Sequence, residues 1–494
     1  MPNDPLSEPE PQFPPELLDV EVDTRPLAMV LLSRSLRLIL LLAGFAVFIA
    51  IMRSTPPVGL SEAGLRALAI FALCVIYWVT GALPLVITGL LAIVLLGICG
   101  VIPQRTAYSL FGSEAVFFVL AAFMLAAAVN YRGLGRRLAV IVFARFGRTS
   151  NGLIRAIFIL CVLMSFLIPE HAVAAIVFPI VLRLTDSLEP SARRTRYPTA
   201  LFLAMAWGTN IGGIATLLGG ARGPLALGIL TESTGATISF VRWSAATIPL
   251  VVFLAVVGYV VLTMFFAFEP VDISSSLAAI ERSRMQLGRI SFEETAVAVV
   301  LGVTVVAWSL GSQKIGLAAI AILAVVALFV LGLLSWHEVE GHVNWGIILM
   351  YGGAIALGSA LERSGAAAFI AKRIARQTSS PIVLLAALSL AAQFLGETLS
   401  HSAVVASMLP VGLGLAARFG LDLRALTLAI ALPAGLTYIM PVSTPANALA
   451  YSGGYLHTRD LIVPGIILII SSWIGLNLIM HFYWPLIGLS PLKG

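Results

Sequence analysis

The chain has 494 residues, of which 59% are hydrophobic and only 11% are charged, and its formal net charge is +6. No soluble fold has enough interior to hide that much apolar surface, so the composition excludes a soluble enzyme and a soluble nucleic-acid-binding domain. The mean hydropathy of +1.01 instead predicts an integral membrane protein that lies mostly in a lipid bilayer.

The N-terminal segment, residues 1–35, differs from the rest of the chain. Its first residues are rich in proline, glutamate and aspartate, which predicts a disordered cytoplasmic tail. The first apolar run follows at residues 36–55 and has no small-residue cleavage site after it, so we interpret it as a retained first span and not as a signal peptide. Arg34 and Arg37 flank its start, which favours a cytoplasmic N-terminus. We expect the protein to lie in the inner membrane of a bacterium.

Beyond the first span, the chain contains two copies of one plan. The stretch that begins at Gly133 matches the stretch that begins at Ser364, 231 positions later. In this alignment Glu170 falls on His401, and an identical Ala-Val pair follows in both copies. The predicted first repeat, linker and second repeat are residues 60–268, 269–291 and 292–486.

Each copy contains an apolar run that a polar tripeptide interrupts, which leaves each side too short to span a bilayer. Such a run is typical of a re-entrant helical hairpin with its tip at membrane depth. Each copy also contains a span broken by glycine and proline, and interrupted segments at matching positions of two halves point to a transporter binding site. The predicted hairpins are residues 151–187 and 380–418, and the predicted broken spans are residues 198–228 and 424–452.

The two repeats are predicted to be inverted in the membrane, because each holds an odd number of spans. Arginine and lysine are more numerous around the first hairpin than around the second, which favours a cytoplasmic location for the first hairpin and for the mid-chain linker. The predicted fold class is therefore an all-α polytopic membrane protein with about 11 transmembrane helices in two inverted repeats, each with a re-entrant helical hairpin and a broken helix.

Four short motifs mark the hairpin tips and the broken spans. The tips read Pro-Glu-His at residues 169–171 and Ser-His-Ser at residues 400–402, and the broken spans read TLLGGARGP from Thr216 and MPVSTPANA from Met440. The layout resembles the divalent anion/sodium symporter family, which includes the sodium-sulfate and di- or tricarboxylate carriers. Members of that family carry Ser-Asn-Thr at each tip and a Thr-Pro-Pro-Asn-like turn in each broken span, so the tips and the first turn are altered here.

The resemblance implies that the tip side chains bind an anionic substrate, that tip and broken-span groups hold sodium ions, and that the protein is a homodimer. Together with the residue chemistry, it leads us to expect substrate binding at Glu170, His171, His401, Ser402, Arg222, Thr444 and Pro445. Cation binding or proton coupling is expected at Glu170, His401, Ser400, Asn210, Gly213, Asn447 and Glu397.

The altered tips place ionisable groups where the family has neutral ones. An ionisable side chain at mid-membrane costs at least about 2.5–3.5 kcal/mol on insertion scales and marks a function by default. As a carboxylate, Glu170 would be a hard oxygen ligand for a cation, and as a titrating group it would carry the coupling proton. His171 and His401 titrate near neutral pH, and Arg222 adds a fixed positive charge that would attract an anion.

We therefore favour a secondary active transporter, and not an enzyme, that moves sulfate, bicarbonate or a di- or tricarboxylate by an elevator or rocking motion. Coupling to H+ is favoured over coupling to Na+, and no cofactor is expected beyond Na+ as a coupling ion. The expected partners are the small anion, the lipid bilayer and a second copy of the chain, with no nucleic acid. The main alternative is an oxyanion exporter or a channel on the same scaffold, and a remote one is an intramembrane metal enzyme that uses Glu170, His171, Glu397 and His401.

Simpler interpretations stay open for the same residues. Glu170 and His171 can close the hairpin tip without touching a substrate, and His401 can be a buried histidine with satisfied hydrogen bonds. Glu397 can cap or orient His401, and Arg222 can point to a loop at the membrane surface.

Overall fold

The computed structural model describes residues 27–266, 271–374, 380–440 and 443–492. Residues 1–26 of the predicted tail and residues 269–270 of the predicted linker lie outside these ranges. Within them the regular structure is helical, and the one β pairing is an isolated bridge between Leu421 and Leu492. The predicted all-α class is confirmed.

The helices that precede the linker are α1 (Leu27–Arg53), α2 (Glu62–Thr80), α3 (Leu85–Ile98), α4 (Gln104–Phe111), α5 (Glu114–Tyr131), α6 (Leu134–Phe146), α7 (Ser150–Met164), α8 (Glu170–Asp186), α9 (Pro190–Arg193), α10 (Tyr197–Gly212), α11 (Arg222–Thr234) and α12 (Phe240–Phe266). The linker and the second half contain α13 (Ser274–Gln286), α14 (Phe292–Ile315), α15 (Leu317–Val330), α16 (Trp336–His342), α17 (Trp345–Arg363), α18 (Ala366–Ile374), α19 (Pro381–Thr398), α20 (His401–Phe419), α21 (Leu423–Ala431), α22 (Pro445–Ser452) and α23 (Thr458–Leu478). Short 3-10 helices at Pro433–Gly435 and Trp484–Ile487 and a π-helical turn at Ile479–Tyr483 complete the described helical structure.

The lengths and composition of these helices fit a polytopic membrane protein. Eight helical segments of the described chain are long and apolar enough to cross a bilayer, and shorter apolar helices that include α7 and α20 accompany them. This set is close to the roughly 11 spans expected from the sequence. Helix α1 begins at Leu27, so it includes the last part of the segment that the sequence assigns to the tail.

Each hairpin segment forms two helices joined by a short turn. In the first, α8 begins at Glu170 directly after Pro169. The ring of Pro169 restricts its φ, which is −57°, and proline has no backbone N–H to donate. In the second, α20 begins at His401 after Ser400, whose hydroxyl caps the helix by accepting from the amide of Ala403 at 3.3 Å. The tip residues Glu170 and His401 are therefore each the first residue of a helix.

The broken spans contain non-helical backbone inside the protein. Between α10 and α11 the chain is irregular at residues 213–221, where the Thr216 hydroxyl donates to the carbonyl of Phe166 at 2.7 Å. Between α21 and α22 the chain passes through the 3-10 turn at Pro433–Gly435 into an extended segment. Such backbone is tolerated at membrane depth because other protein groups satisfy it.

Helix α17 packs directly on α3 through facing glycines. A Cβ atom on Gly353 would lie 2.1 Å from the carbonyl oxygen of Gly89, and one on Gly89 would lie 3.0 Å from Cα of Met350. The missing side chains let the two backbones touch, as is common between helices in membranes. Other faces of α17 pack against α11 and α20, which carry the candidate site.

Replacing Gly353 by alanine should push α3 and α17 apart and lower the stability by about 1–3 kcal/mol, the usual cost of overpacking. The measurement is the melting temperature of the purified protein in detergent. The control is Gly302→Ala in α14, where an added Cβ atom meets nothing within 4 Å and alanine favours the helix. Equal melting temperatures for the two variants would contradict the close contact between α3 and α17.

Candidate functional site

Three helices begin at one point in the protein interior. Glu170 is the first residue of α8, Arg222 of α11 and His401 of α20. Nη1 of Arg222 donates to both carboxylate oxygens of Glu170, at 3.1 and 3.0 Å, and lies 3.1 Å from Nδ1 of His401. The same Nδ1 is 3.4 Å from Oε1 of Glu170. The two hairpin tips and the first broken span thus meet in one group, which we call the Glu–Arg–His cluster.

The bonding pattern assigns a neutral ring to His401. Nδ1 of His401 is closer to Nη1 of Arg222, at 3.1 Å, than to Oε1 of Glu170, at 3.4 Å, and a guanidinium group can only donate, so we assign Nδ1 as the acceptor. The ring proton then belongs on Nε2, which faces Oγ1 of Thr437 at 3.4 Å. The cluster therefore carries one positive charge, on Arg222, and one negative charge, on Glu170.

Protein surrounds the cluster and shields it from water. The side chains of Arg222, Glu170 and His401 are 3%, 8% and 8% exposed. Arg222 is therefore not at a surface loop, and the side chains of Glu170 and His401 at the two tips are buried with it. The guanidinium group takes the place of water as the partner of the Glu170 carboxylate, because a charge at this depth persists only when it is paired.

Helix geometry explains why a negative charge is stable here. Helices α8, α11 and α20 have 17, 13 and 19 residues, and each presents the positive end of its dipole to the cluster. Each such end is equivalent to roughly half an elementary charge. The Glu170 carboxylate is the anion that the three ends share, and its own amide donates to the carbonyl of Gly219 at 2.9 Å.

The charged side chains rest on glycines of both broken spans. A Cβ atom on Gly435 would lie 2.0 Å from Nε of Arg222, and one on Gly220 would lie 2.7 Å from Nη1. Gly213, for which the sequence predicts a role in cation binding, lies under the carboxylate, since a Cβ atom there would be 2.4 Å from Oε2 of Glu170. Side chains at these positions would displace the ion pair.

A network of amide and hydroxyl groups joins the two broken spans next to the cluster. Nδ2 of Asn210 donates to the carbonyl of Thr437 at 2.8 Å and to Oδ1 of Asn447 at 3.1 Å. Thr444 caps helix α22, because its Oγ1 accepts from the amide of Asn447 at 3.0 Å, and Pro445 is the first residue of that helix. The side chain of Thr444 is thus engaged in holding the second broken span.

Glu397 holds the extended part of the second broken span. Its carboxylate accepts from the amides of Tyr438, Ile439 and Met440, at 2.7, 3.2 and 3.0 Å. Within the described ranges these three amides are its hydrogen-bond partners, and it does not cap or orient His401. The structure therefore places Glu397 as a support of the backbone that leads to Thr437.

His171 lies apart from the cluster. It is half-buried, and its ring packs edge-on against Phe123 of α5, with 5.4 Å between the ring centroids. Among the residues that the structure describes, no hydrogen bond or ion pair joins His171 to Glu170 or His401. The side chains of the metal-enzyme hypothesis do not gather at one point, and the described chain contains no group of three His, Cys, Asp or Glu side chains placed to share a metal ion.

Three buried polar atoms of this region have no hydrogen-bond partner within the described chain. They are Nη2 of Arg222, Oη of Tyr351 and Oδ1 of Asn210. Most buried polar atoms in proteins are paired, so unpaired ones at a site indicate a missing partner. Tyr351 is not among the residues expected from the sequence, because its one signal there is a phenol inside the apolar run LMYGGA of α17.

Two cavities flank the cluster without reaching it. One of about 810 Å3 follows α11 between Pro224 and Thr231. Another of about 410 Å3 follows the second half of α8 between Ala175 and Leu184. The linings of these two cavities do not include the three side chains of the cluster.

Comparison with known proteins gives a family match over nearly the whole chain. The model of the sodium:sulfate symporter transmembrane region matches residues 34–490. The sodium-dependent dicarboxylate transporter SdcS of Staphylococcus saprophyticus is 23% identical over 476 residues, which cover 91% of this chain and 92% of that protein. SdcS of Staphylococcus aureus is 24% identical over 478 residues, with the same shares covered.

Solved structures show the same kind of fold at low sequence identity. The YdaH transporter of Alcanivorax borkumensis aligns with a TM-score of 0.55 at 15% identity and covers 94% of this chain and 99% of its own. MtrF of Neisseria gonorrhoeae, described as illuminating a class of antimetabolite efflux pumps, aligns with a TM-score of 0.56 at 11% identity and covers 82% and 96%. At such identities the likeness concerns the fold alone.

The Glu170–Arg222 pair allows a stability test of the cluster. Glu170→Gln or Arg222→Met alone should lower the free energy of unfolding by about 3–5 kcal/mol, because each leaves one buried charge without its partner. The double variant should recover most of this loss, since both charges are gone. Melting of the purified proteins in detergent measures the effect, and a double variant that is as unstable as the sum of the single ones would rule out direct coupling.

Proposed function

The chain belongs to the sodium:sulfate symporter family, and on this premise we propose that it moves a small anion across the membrane together with protons. The family and the relatives are transporters and not enzymes. The substrate is proposed to be a short dicarboxylate or a similar oxyanion, which the naming of the SdcS relatives favours. The observation that carries the proposal is the buried, charge-balanced Glu–Arg–His cluster at the junction of both hairpins.

Arg222 is the group that we assign to the anion. Both carboxylate oxygens of Glu170 accept from the same nitrogen of Arg222, Nη1. The pair is therefore not bidentate, and the other nitrogens of the guanidinium group do not bond the carboxylate. Nη2 is buried and has no partner in the described chain. An anion that enters the site can therefore bond Nη2 before it competes with Glu170 for the rest of the guanidinium group.

Charge balance links the anion to protons. An anion added to the cluster as it stands would leave an uncompensated negative charge in a buried site, which is costly. A proton on Glu170 removes the internal negative charge and frees Arg222 for the substrate. Once Arg222 turns to the substrate, Nδ1 of His401 loses its donor and is able to take a second proton, which would balance a doubly charged anion.

The proposed cycle is therefore electroneutral, with one proton for each negative charge of the anion. Glu170 and His401 lie on opposite hairpins, so both tips take part in each binding event. The Asn210–Thr437–Asn447 network keeps the two broken spans together while the cluster changes partners.

A sodium-coupled cycle is the second candidate. The SdcS relatives are named as sodium-dependent. In this chain Oδ1 of Asn210 is buried and has no partner within the described residues, and amide and carbonyl oxygens are suitable ligands for hard cations. Neutral oxygens of the two broken spans would then hold Na+, and Glu170 would remain a fixed partner of Arg222.

Uptake into liposomes that contain the purified protein distinguishes the two cycles. With labelled succinate, sulfate or bicarbonate outside, an inward proton gradient should drive accumulation, and replacing Na+ by choline should change the rate less than twofold. Because the cycle is electroneutral, an imposed membrane potential should have no effect. Accumulation that needs Na+ and responds to the potential would favour the sodium cycle instead.

Substitution of Glu170 tests its role in coupling. Glu170→Gln should abolish accumulation driven by the proton gradient, since the amide cannot take the proton that frees Arg222, and the remaining exchange should keep only the pH dependence that His401 contributes. The control is Glu281→Gln on the linker helix α13, where the carboxylate is exposed. If Glu170→Gln still accumulated the anion in response to the proton gradient, Glu170 would not be the coupling group.

A further inference from the structure

We propose that the hydroxyl group of Tyr351 is a ligand of the transported anion and helps to determine which anion is accepted. This inference rests on the proposed function, because it assigns a second donor to the same binding site. Tyr351 lies in α17, outside both hairpins and both broken spans, and its side chain is completely buried.

The hydroxyl of Tyr351 is unusual among the buried tyrosines of the described chain because it makes no hydrogen bond of normal geometry, and only weak interactions join it to Ser402 and the amide of Leu225. In contrast, the hydroxyl of Tyr197 donates to the carbonyl of Ser150 at 2.9 Å, and that of Tyr438 is 2.9 Å from Oγ of Ser472. A buried hydroxyl without a partner is unfavourable, and a chain that needed only the ring would keep a phenylalanine here. The hydroxyl therefore remains available for a stronger hydrogen bond to a partner that is not part of the protein.

The face of α17 that carries Tyr351 points toward the cluster. One turn further along, Ile355 lies against Gly228 of α11, and Gly358 faces Ile229 of α11 and Pro410 of α20. Residues four and seven positions apart share a face of a helix, so Tyr351 belongs to this contact surface. Helices α11 and α20 are the ones that begin at Arg222 and His401.

The immediate neighbours of the Tyr351 hydroxyl confirm this placement at the helix starts. It lies beside the side chain of Ser402 and the amide of Leu225. Ser402 directly follows His401 at the start of α20, and Leu225 is in the first turn of α11. The phenol thus approaches the cluster from the side of α17.

The groups on this side of the cluster are donors. Nη2 of Arg222 and the hydroxyl of Tyr351 both lack a hydrogen bond of normal geometry in the described chain, and the side chain of Ser402 lies next to the Tyr351 hydroxyl. A ligand that satisfies them must offer several acceptor oxygens and no competing donor, which describes a carboxylate or another fully ionised oxyanion. A site that hydrogen-bonds its ligand in this way strongly disfavours an analogue that lacks the acceptor.

Binding measurements on Tyr351→Phe and on a matched control test the assignment. The control is Tyr197→Phe, which removes a paired hydroxyl from an equally buried ring far along the chain from α17. The probes are succinate, sulfate and bicarbonate, each added alone to the purified full-length protein. The readouts are the melting temperature with and without each anion, and the KM and pH dependence of uptake into liposomes.

For Tyr351→Phe, we expect a melting temperature without anion that equals or exceeds that of the unmodified protein, because only the weak interactions with Ser402 and Leu225 are lost and a buried hydroxyl is removed. The dissociation constant and KM for the transported anion should rise about tenfold, which corresponds to roughly 1.4 kcal/mol. The pH dependence of uptake should be unchanged, since the groups that take protons remain. Tyr197→Phe should show the reverse, with a lower melting temperature and an unchanged dissociation constant.

Unchanged anion affinity in Tyr351→Phe would overturn the assignment, and so would a lower melting temperature without anion, which would show that the hydroxyl is structural. In both cases proton-driven uptake by the unmodified protein would leave the proposed function standing. If the unmodified protein neither bound nor transported any of the three anions, the proposed function would fail, and the role of Tyr351 would fail with it.

Discussion

The structure depends on charge balance at a point where three helices present their positive ends to one carboxylate. Glu170 supplies the negative charge, and Arg222 supplies a compensating positive one that also reaches His401. None of these groups has enough contact with water to persist alone. The requirement extends to the backbone, because Gly213 and Gly435 leave the space that the carboxylate and the guanidinium occupy. The irregular segments of both broken spans are thus shaped around one ion pair.

Local patterns in the sequence are sufficient to predict the fold class and to pair the two hairpin tips with each other. Runs of apolar residues and their interruptions repeat at a fixed offset, and this alignment places Glu170 opposite His401. The partners of these residues could not be predicted in the same way. Arg222 is 52 residues from Glu170 and 179 from His401, and only tertiary packing decides whether its side chain turns inward or to a surface.

The contacts of other residues at the site also depend on tertiary packing, which local sequence patterns do not predict. Glu397 lies one turn before His401, yet its carboxylate reaches three amides of the second broken span about 40 residues later. His171 is adjacent to Glu170, but successive helical residues point in different directions, and its ring meets Phe123 instead. Tyr351 gave no sequence signal because an aromatic residue in an apolar helix is ordinary, and only its unpaired hydroxyl distinguishes it.

The two hairpin tips occupy equivalent positions in the repeats but differ in chemistry, with an acid in one and an imidazole in the other. Because Nδ1 of His401 is only 3.4 Å from Oε1 of Glu170, a glutamate at both tips would bring two carboxylates close together, which disfavours ionisation of both. The architecture is nearly symmetric, whereas its electrostatics are not, because one tip contributes a carboxylate and the other a neutral imidazole.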